Sequence, residues 1–564
     1  MTMYAFTFFI QAERTEESAL FTLRWFVLAC VGFLAFLAIQ VLPSLETMAT
    51  SPEERVMDRG QARETALQAA AYRWGVRADE VERLRLTHLS DSTAVGYLEK
   101  TKLSQQYEKD WDAALPTDVY RADLQLADGS LLQLSLHMES GKVVAWRWLR
   151  DGSGGKRTAG GSPEKTLQSW GFDPADWQAT GETAEDGALV YRPLKGALGE
   201  ARPELLVKPG VELTYRLAVP DAFAAYLAEQ KRLASRLSAI GFILPQIVLF
   251  VLAIAYACAC RKWTSFRRGR VIAAVYFLLY FAFTLNMTAG FRSQASGEGL
   301  PADDAAVSAL LIANGLILAA TVLVTYFAAV GGDGLWNKMG RSLWPRWTEP
   351  DYGRTVLRGM RRGYALAFIL LGAQSVIFVG LDRLLGAFTS SDASQSPYNL
   401  TYSWLMPMIA WCAALSEETL YRLFGIGLVR SWLLGGARLL LRREPSPRAA
   451  SLLTLAAMVP PAVSWAFGHV GYPIYPVYSR LIELTILGVL LGWFMLRFGL
   501  ITVLFAHAAL DATLVGVQLI FDGLPLDWIS GLLSIALPAL VGGAIALAHR
   551  WRRGGAVLTP RSPA

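Results

Sequence analysis

The hydrophobic positions of this chain fall into ten long apolar runs, separated by polar segments of unequal length. Nine runs reach the roughly 20 residues that a helix needs to cross a bilayer. They lie near residues 239–260, 271–290, 305–330, 364–386, 402–425, 450–468, 478–497, 500–521 and 528–549. The earliest run, Trp25 to Leu42, has about 18 residues, which is longer than a signal-peptide core, and it lacks a clear small-x-small cleavage site. We therefore expect an uncleaved N-terminal anchor and about ten transmembrane helices in all.

A long polar segment, from about Ser44 to Arg236, separates the first apolar run from the second. Within it, apolar and polar residues alternate in three short stretches punctuated by Asp128-Gly129 and Gly141-Lys142, a pattern typical of a β-meander. The stretches are Val119 to Leu126, Leu131 to Met138 and Val143 to Leu149. Helical patterns precede and follow them, at Ala62 to Arg73 and at Ala222 to Ser238. The segment therefore predicts an inserted α+β domain.

A short internal repeat occurs within this polar segment. Trp74-Gly75-Val76 followed by Ala78-Asp79 matches Trp170-Gly171-Phe172 followed by Ala175-Asp176. The repeat indicates two copies of a unit made of a helix and a sheet. The order of one helix and three strands resembles PepSY-type periplasmic modules, and a generic α+β domain with a coincidental Trp-Gly pair fits the pattern equally well. Between the copies, the Gly/Ser-rich stretch Asp151 to Gly161 predicts a linker or a hairpin tip.

The overall composition agrees with a membrane protein that carries one polar domain. The 564 residues are 53% hydrophobic and only 18% charged, and they include 18 tryptophans. A formal net charge of +6 would suggest nucleic-acid binding in a soluble protein. Here the basic residues cluster in short loops between apolar runs, which membrane topology explains better. We expect a lipid bilayer as surroundings and no nucleic-acid partner.

The distribution of lysine and arginine predicts the orientation of the helices. Basic residues crowd the segments 261–270, 338–362 and 430–448, and they follow the last run at 550–553. The alternate segments, near 291–304 and 387–401, are almost free of them. Because loops rich in Lys and Arg stay in the cytoplasm, both termini are expected there and residues 44–238 are expected outside the cell. The sequence thus predicts a multi-pass protein of the cell membrane.

Ionisable residues interrupt the apolar run that begins near Tyr402. Glu417, Glu418 and Arg422 lie within it, and burying such groups in hydrocarbon is costly unless they pair or line a wet cavity. Glu418 and Arg422 are four residues apart, so they share a helix face and can form an ion pair. Glu417 points about 100° away and is free to act as a general base. The alternative is a structural ion pair near the end of an amphipathic helix.

Two later apolar runs each carry a histidine, although the whole chain has only 5. His469 lies four residues after Trp465, whose indole is expected to pack on the imidazole, and Pro460-Pro461 upstream must break or kink the helix. His507 lies four residues before Asp511, close enough for a hydrogen bond. The alternatives are an interfacial histidine and a polar pair that packs two helices.

We expect these three segments to form one intramembrane active site. A random bundle has little reason to bury two Glu, one Arg, two His and one Asp within about one hundred residues. The predicted spans place His469 near the outer face and Glu417 nearer the inner face. A single site therefore requires that the segment around Pro460-Pro461 is broken or tilted.

These motifs resemble those of the CPBP family, which comprises CAAX proteases and bacteriocin-processing enzymes, formerly called Abi, and includes type II CAAX prenyl endopeptidases. The resemblance rests on Glu417-Glu418-x-x-x-Arg422, the aromatic-x-x-x-His469 and His507-x-x-x-Asp511, in this order. The glycine-bearing stretch from Leu487 to Ile501 is also similar to the family. The resemblance covers roughly residues 402–520.

The resemblance implies a role for each residue at a motif position. Glu417 would activate the attacking water, which His469 would help to hold, while Glu418 and Arg422 would support them. His507 and Asp511 would stabilise the oxyanion. Two positions differ from the family: Trp465 replaces the usual Phe, and Asp511 replaces a frequent Asn. An ionised Asp cannot donate a hydrogen bond to an oxyanion, so Asp511 must be protonated, orient His507 or bind a metal.

The sequence leaves the cofactor unknown. Members of the family are classed as metalloproteases, and a metal-free mechanism is argued for them as well. The chain has no His-Glu-x-x-His motif, so Glu and His side chains could bind Zn²⁺ only if three helices converge. A divalent metal such as Zn²⁺ therefore stays an open option.

Together these features predict a polytopic α-helical membrane protein of about ten transmembrane helices with an inserted extracytoplasmic α+β domain. The expected parts are an anchor at 1–43, the external domain at 44–238, helices of unassigned role at 239–400, a catalytic core at 401–522 and a last helix with a basic tail at 523–564. The expected activity is hydrolysis of a peptide bond in a protein or peptide substrate at the membrane. The alternatives are a non-catalytic sensor or scaffold and a proton-coupled transporter, although the inverted repeats expected of a transporter are not apparent.

Overall fold

The computed structural model describes residues 17–43, 55–149, 161–296 and 302–556. Ten helices in these ranges are long and apolar enough to cross a membrane. Their bounds are Leu23–Val41, Asp221–Ala259, Phe266–Asn286, Asp304–Lys338, Tyr352–Leu385, Ser403–Leu441, Pro447–Phe467, Val477–Phe498, Leu500–Phe521 and Asp527–Arg553. The number and order of the predicted spans are confirmed, and several helices extend well beyond the predicted bounds.

The polar segment after the first helix folds around a single antiparallel sheet of eight strands in the order β1-β2-β3-β4-β8-β7-β6-β5. The strands are β1 (Val81–Ser90), β2 (Asp118–Leu126), β3 (Leu131–His137), β4 (Val143–Leu149), β5 (Trp177–Thr183), β6 (Leu189–Pro193), β7 (Arg202–Lys208) and β8 (Glu212–Ala218). The predicted meander is strands β2 to β4 and is confirmed. Two four-stranded halves meet where Trp146 of β4 pairs with Leu213 of β8.

Each half of the sheet is preceded by a helix that ends near a Trp-Gly pair. Helix Arg59–Trp74 ends at Gly75 with φ of 63°, and Gly171 just after helix Pro163–Ser169 has φ of 83°, a conformation that glycine adopts at little cost. The rings of Trp74 and Trp170 lie 5.9 Å apart. The two tryptophans of the repeat therefore contact each other across the two halves of the domain. Each half has four strands where three were expected, and the likeness to PepSY modules stays a prediction.

Two smaller predictions about this segment have different outcomes. The helix expected at Ala222 to Ser238 is present as Asp221–Ser238, and it continues without interruption into the membrane helix that ends at Ala259. Most of the predicted linker or hairpin tip, residues 151–161, lies outside the described residues.

The α+β domain rests on loops at one end of the helix bundle. Arg59 donates to the Tyr398 carbonyl oxygen at 2.8 Å, and the backbone N–H of His88 donates to the side-chain oxygen of Asn399 at 2.9 Å. Tyr398 in turn donates its hydroxyl to the carbonyl oxygen of Asp522 at 2.7 Å. These loops include 387–401, one of the segments poor in Lys and Arg. The extracytoplasmic placement of this end stays a prediction.

The domain also contacts the segment that follows His469. Thr389 and Phe388 pair with Ile474 and Tyr475 in a two-stranded ladder. Ser390, next to this ladder, donates its hydroxyl to the Ser92 carbonyl oxygen at the start of the domain helix Ser92–Thr101. The polar domain is therefore linked to the chain segment 468–476 through residues 388–390.

A buried carboxyl at the same junction predicts how stability depends on pH. Asp522 is 6% exposed, and burial raises the pKa of its carboxyl from an ordinary value of 3.8 to about 8, with Asp527 nearby adding to the effect. Between these two pH values the folded protein keeps a proton that the unfolded chain has lost. The free energy of unfolding is therefore expected to fall as pH rises through this window and to level off above it.

Replacing Asp522 by asparagine should reduce this fall, because the amide keeps the hydrogen bond from the Leu524 backbone N–H but does not ionise. The measurement is the melting temperature of the purified protein at several pH values across the window. Asp351→Asn, which changes a carboxylate with a 67% exposed side chain, serves as the control and should leave the dependence unchanged. An equal pH dependence in Asp522→Asn and the unmodified protein would contradict the assignment.

Candidate functional site

The helix Ser403–Leu441, called here the glutamate helix, changes its winding at the two adjacent carboxylates. It is α-helical from Met408 to Glu417, forms a π-helix from Glu418 to Ile426 and returns to α-helix at Gly427. π-helical turns are rare in proteins, and those that exist are often found at functional sites. The wider turn presents a nine-residue segment that is buried throughout.

The neighbouring helix Asp304–Lys338 holds the π-helical segment in place. Trp336 donates its indole N–H to the Leu423 carbonyl oxygen at 2.8 Å. Gly332 of the same helix lies so close that a Cβ atom there would come within 2.8 Å of Leu423 and 2.9 Å of the Phe424 backbone nitrogen. Close backbone contact and one buried hydrogen bond therefore fix the segment that carries Glu418 and Arg422.

Glu418 is fully buried between a histidine and an arginine. Its Oε1 atom lies 2.7 Å from His507 Nδ1 and 3.2 Å from Arg422 Nη1. The predicted ion pair between Glu418 and Arg422 is confirmed, and both side chains are at most 1% exposed. The Arg422 guanidinium also lies 4.1 Å above the centroid of the Trp465 ring, where a cation–π interaction is favourable. These contacts place the buried side chains of Glu418 and Arg422 against His507 and Trp465.

Glu417 occupies a more open position, with a side chain that is 21% exposed. Its Oε1 atom lies 3.7 Å from His469 Nε2, and its Oε2 atom lies 3.9 Å from His507 Nε2. Oε2 also accepts a hydrogen bond from the indole N–H of Trp465. The expectation that Glu417 turns away from Arg422 toward other partners is confirmed.

His469 is oriented by its own chain. Its Nδ1 atom lies 2.9 Å from the Trp465 carbonyl oxygen, and since a carbonyl only accepts, Nδ1 carries the proton. In the neutral imidazole, Nε2 is then an acceptor, and it faces Glu417. The indole of Trp465 packs edge-on against the ring at 5.1 Å, as predicted, and Tyr472 stacks on it at 5.7 Å.

The expected conflict in depth between Glu417 and His469 does not occur. The glutamate helix ends at Leu441 rather than near residue 425, so Glu417 lies in its first half. The span around Pro460-Pro461 is broken, as required, into helices Pro447–Ala456 and Val459–Phe467. His469 follows the second helix directly, at the bundle end that contacts the α+β domain.

His507 lies between acidic groups on helix Leu500–Phe521. Besides Glu418 at Nδ1, its Nε2 atom lies 3.4 Å from Asp511 Oδ2, so the predicted pairing four residues apart is confirmed. The His507 side chain is 5% exposed and that of Asp511 is 26% exposed. Glu417, His469 and Asp511 therefore form the accessible side of the cluster, while Glu418, Arg422 and His507 form its buried side.

The donor set does not have the arrangement of a metal site. Among the described residues, no group of three or more His, Cys, Asp or Glu side chains is arranged to hold a metal ion. Both nitrogens of His507 face carboxylates, at 2.7 Å for Nδ1 and 3.4 Å for Nε2. The described residues therefore offer Zn²⁺ no ready set of ligands.

Among the features of the site that were not expected from the sequence are two sets of contacts. The first is the hydrogen bond from the Trp465 indole to Glu417, which no spacing rule predicts. The second is a polar network behind Tyr472: Arg480 lies 5.2 Å from its ring centroid and 2.8 Å from the buried Glu483, which also accepts from Gln374. The three-residue spacing of Arg480 and Glu483 is the one signal that could have indicated this pair.

Comparison with known proteins gives one match. The sequence family described as type II CAAX prenyl endopeptidase Rce1-like matches residues 399–513, a range that contains all six candidate residues. No curated protein and no solved structure matches the chain.

Proposed function

We propose that this chain is an intramembrane endopeptidase of the CAAX protease family, which residues 399–513 match, and that it hydrolyses a peptide bond with water activated by Glu417 and His469. One observation carries the proposal. Glu417 Oε1 and His469 Nε2, two hydrogen-bond acceptors, lie 3.7 Å apart on the accessible side of the cluster. A single water molecule can donate one hydrogen bond to each acceptor, and these two bonds fix the direction of its lone pair for attack.

In the first step, the water oxygen bonds to the carbonyl carbon of the scissile peptide, and the water proton passes to Glu417 Oε1. A carboxylate positioned in this way acts as a general base. His469 Nε2 accepts a hydrogen bond from the other O–H group of the water and thereby orients the water molecule. The carbonyl π electrons move to the oxygen, which becomes an oxyanion.

The oxyanion needs a donor, and His507 is the candidate. In its imidazolium form, Nδ1 donates to Glu418, and Nε2 carries a proton that the oxyanion can accept in place of Asp511. Asp511 then serves to orient the ring, which resolves how an acidic residue can act at this position. In the second step the C–N bond breaks, and Glu417 returns its proton to the leaving nitrogen.

The proposed orientation places the site near the outer face of the cell membrane. Both termini would be cytoplasmic and residues 44–238 extracytoplasmic, since the loops that contact the α+β domain are poor in Lys and Arg. The domain would control access of a protein or peptide substrate to Glu417. The hydrogen bond from Ser390 to the domain, next to residues 388–389 that pair with the segment after His469, supports this role.

A second candidate function is a non-catalytic sensor or scaffold. The complete burial of Glu418 and Arg422 favours it, because an ion pair of this kind also stabilises helix packing. The two functions differ at Glu417, which is partly exposed and which a scaffold does not need.

The activity is tested with purified protein in liposomes that contain a library of membrane-anchored peptides, analysed by mass spectrometry. We expect defined cleavage products, and we expect them to persist in the presence of a chelator, because the water is held by Glu417 and His469. Loss of cleavage on chelation, restored by Zn²⁺, would contradict metal-free activation. Absence of products under all conditions would favour the scaffold.

A further inference from the structure

Trp465 contacts residues on both the accessible and the buried side of the candidate site. Its indole N–H donates to Glu417 Oε2, and its carbonyl oxygen accepts from His469 Nδ1 at 2.9 Å. Its ring lies under the Arg422 guanidinium at 4.1 Å and meets the His507 ring edge-on at 5.9 Å. At 4% exposure the side chain is buried among the groups that it contacts.

These contacts leave the indole a single orientation. Arg422 lies on the face of the ring, while the rings of His469 and His507 meet it at interplanar angles of 66° and 81°. Because an indole nitrogen is a donor only, the N–H needs an acceptor when buried, and Glu417 supplies it. The direction of the N–H bond is therefore set by packing rather than by the carboxylate.

The fixed N–H determines how the Glu417 carboxylate is turned. A carboxylate on a flexible side chain can exchange its two oxygens by rotation about its last bond. With Oε2 held by Trp465, Oε1 is the oxygen that faces His469 Nε2. A misplacement of about 1 Å in a reacting group can cost on the order of 10²-fold in rate.

We propose that Trp465 is a positioning residue, whose indole N–H holds the Glu417 carboxylate so that Oε1 and His469 Nε2 share the attacking water. This role rests on the proposed protease function. It assigns to the tryptophan a task that phenylalanine, an aromatic side chain without an N–H, cannot perform.

The chain contains a matched control on the helix that carries Glu417. Trp411, in the α-helical part that ends at Glu417, packs edge-on against Phe505 at 5.6 Å. Its indole nitrogen is buried and has no hydrogen-bond partner among the described residues. Replacing it by phenylalanine removes an indole N–H from the same region without removing a hydrogen bond.

The experiment compares Trp465→Phe and Trp411→Phe with the unmodified protein in liposomes. For Trp465→Phe we expect kcat to fall roughly 10- to 100-fold while KM stays unchanged, since the altered group orients the reacting carboxylate and does not bind substrate. Trp411→Phe is expected to keep both constants. The melting temperatures of the two variants should be similar.

A second readout does not depend on activity. In ¹⁵N-tryptophan-labelled protein, the indole N–H proton of Trp465 is expected downfield because it donates to a carboxylate, and Glu417→Ala should shift this signal upfield. If Trp465→Phe does not fold, the comparison of the unmodified protein with Glu417→Ala is sufficient to test whether the Trp465 N–H donates to Glu417. A spectrum that Glu417→Ala leaves unchanged overturns the proposal.

The outcomes separate this proposal from the function on which it rests. Cleavage by the unmodified protein with equal kcat in Trp465→Phe and Trp411→Phe overturns the positioning role and leaves the protease. If kcat falls in Trp465→Phe and its melting temperature falls as well, while Trp411→Phe keeps its melting temperature, then Trp465 serves folding. This result also overturns the positioning role. Absence of cleavage by the unmodified protein overturns both.

Discussion

Replacing Glu417 by glutamine is expected to lower the rate of peptide cleavage by about 10²- to 10⁴-fold, the range that a general base typically supplies. The amide has the same size, and its oxygen can still accept the hydrogen bond from Trp465. It cannot take a proton from water at His469. Since Glu417 is partly exposed and forms no ion pair with Arg422, the melting temperature should stay close to that of the unmodified protein.

The matched control is Glu444→Gln. Glu444 has a side chain that is 74% exposed and pairs with Arg438 at 2.8 Å near the end of the glutamate helix. The same chemical change at this position should leave the cleavage rate unaltered. Initial rates in the same liposomes measure both variants, and a similar rate for Glu417→Gln and Glu444→Gln would remove Glu417 from the mechanism.

Replacing Arg422 by methionine is expected to lower the free energy of unfolding by about 3–5 kcal/mol, the cost typical of removing one partner from a buried ion pair. Glu418 would lose the guanidinium at 3.2 Å and keep only His507 as a partner. The cation–π contact with Trp465 would disappear as well. Activity should fall together with stability, in contrast to Glu417→Gln.

Arg438→Met provides the comparison for this loss. Arg438 is on the same helix, but its side chain is 56% exposed and its partner Glu444 is exposed, so little stability depends on the pair. Unfolding is followed by tryptophan fluorescence during titration with denaturant. Equal destabilisation by Arg422→Met and Arg438→Met would show that burial does not make the Glu418–Arg422 pair important.

The sequence predicted the parts of the fold that depend on periodic or continuous hydrophobicity. Ten spans were recognisable because a lipid-facing helix needs an uninterrupted apolar run, as in Trp25 to Leu42. Strands β2 to β4 were recognisable because apolar and polar residues alternate along them, although the structure also buries polar side chains of the second face, such as Arg121, Asp123 and Gln133. The pairs Glu418–Arg422 and His507–Asp511 followed from a spacing of four residues on one helix.

Features that depend on contacts between distant segments were not predictable. The π-helix from Glu418 to Ile426 contacts Trp336 and Gly332 of another helix, and no local sequence pattern predicts it. The end of the glutamate helix at Leu441 was missed because the helix continues past the apolar run into a segment that contains arginines. That error placed Glu417 at the wrong depth relative to His469.

The Trp465–Glu417 hydrogen bond is the clearest example of this limit. The two residues are on different helices, 48 positions apart, and the sequence indicated only that Trp465 would pack on His469. The direction of an indole N–H follows from the packing of Arg422, His469 and His507 around the ring, which exists only in the folded protein.

The proposed function depends on activation of water by Glu417 for peptide hydrolysis inside the membrane. The most direct test measures the initial rate at which the purified protein cleaves a membrane-anchored peptide in liposomes, with Glu417→Gln measured in parallel at equal melting temperature. We expect defined products from the unmodified protein and at least about 10²-fold slower cleavage by the variant. Equal rates, or no cleavage by either protein, would contradict it.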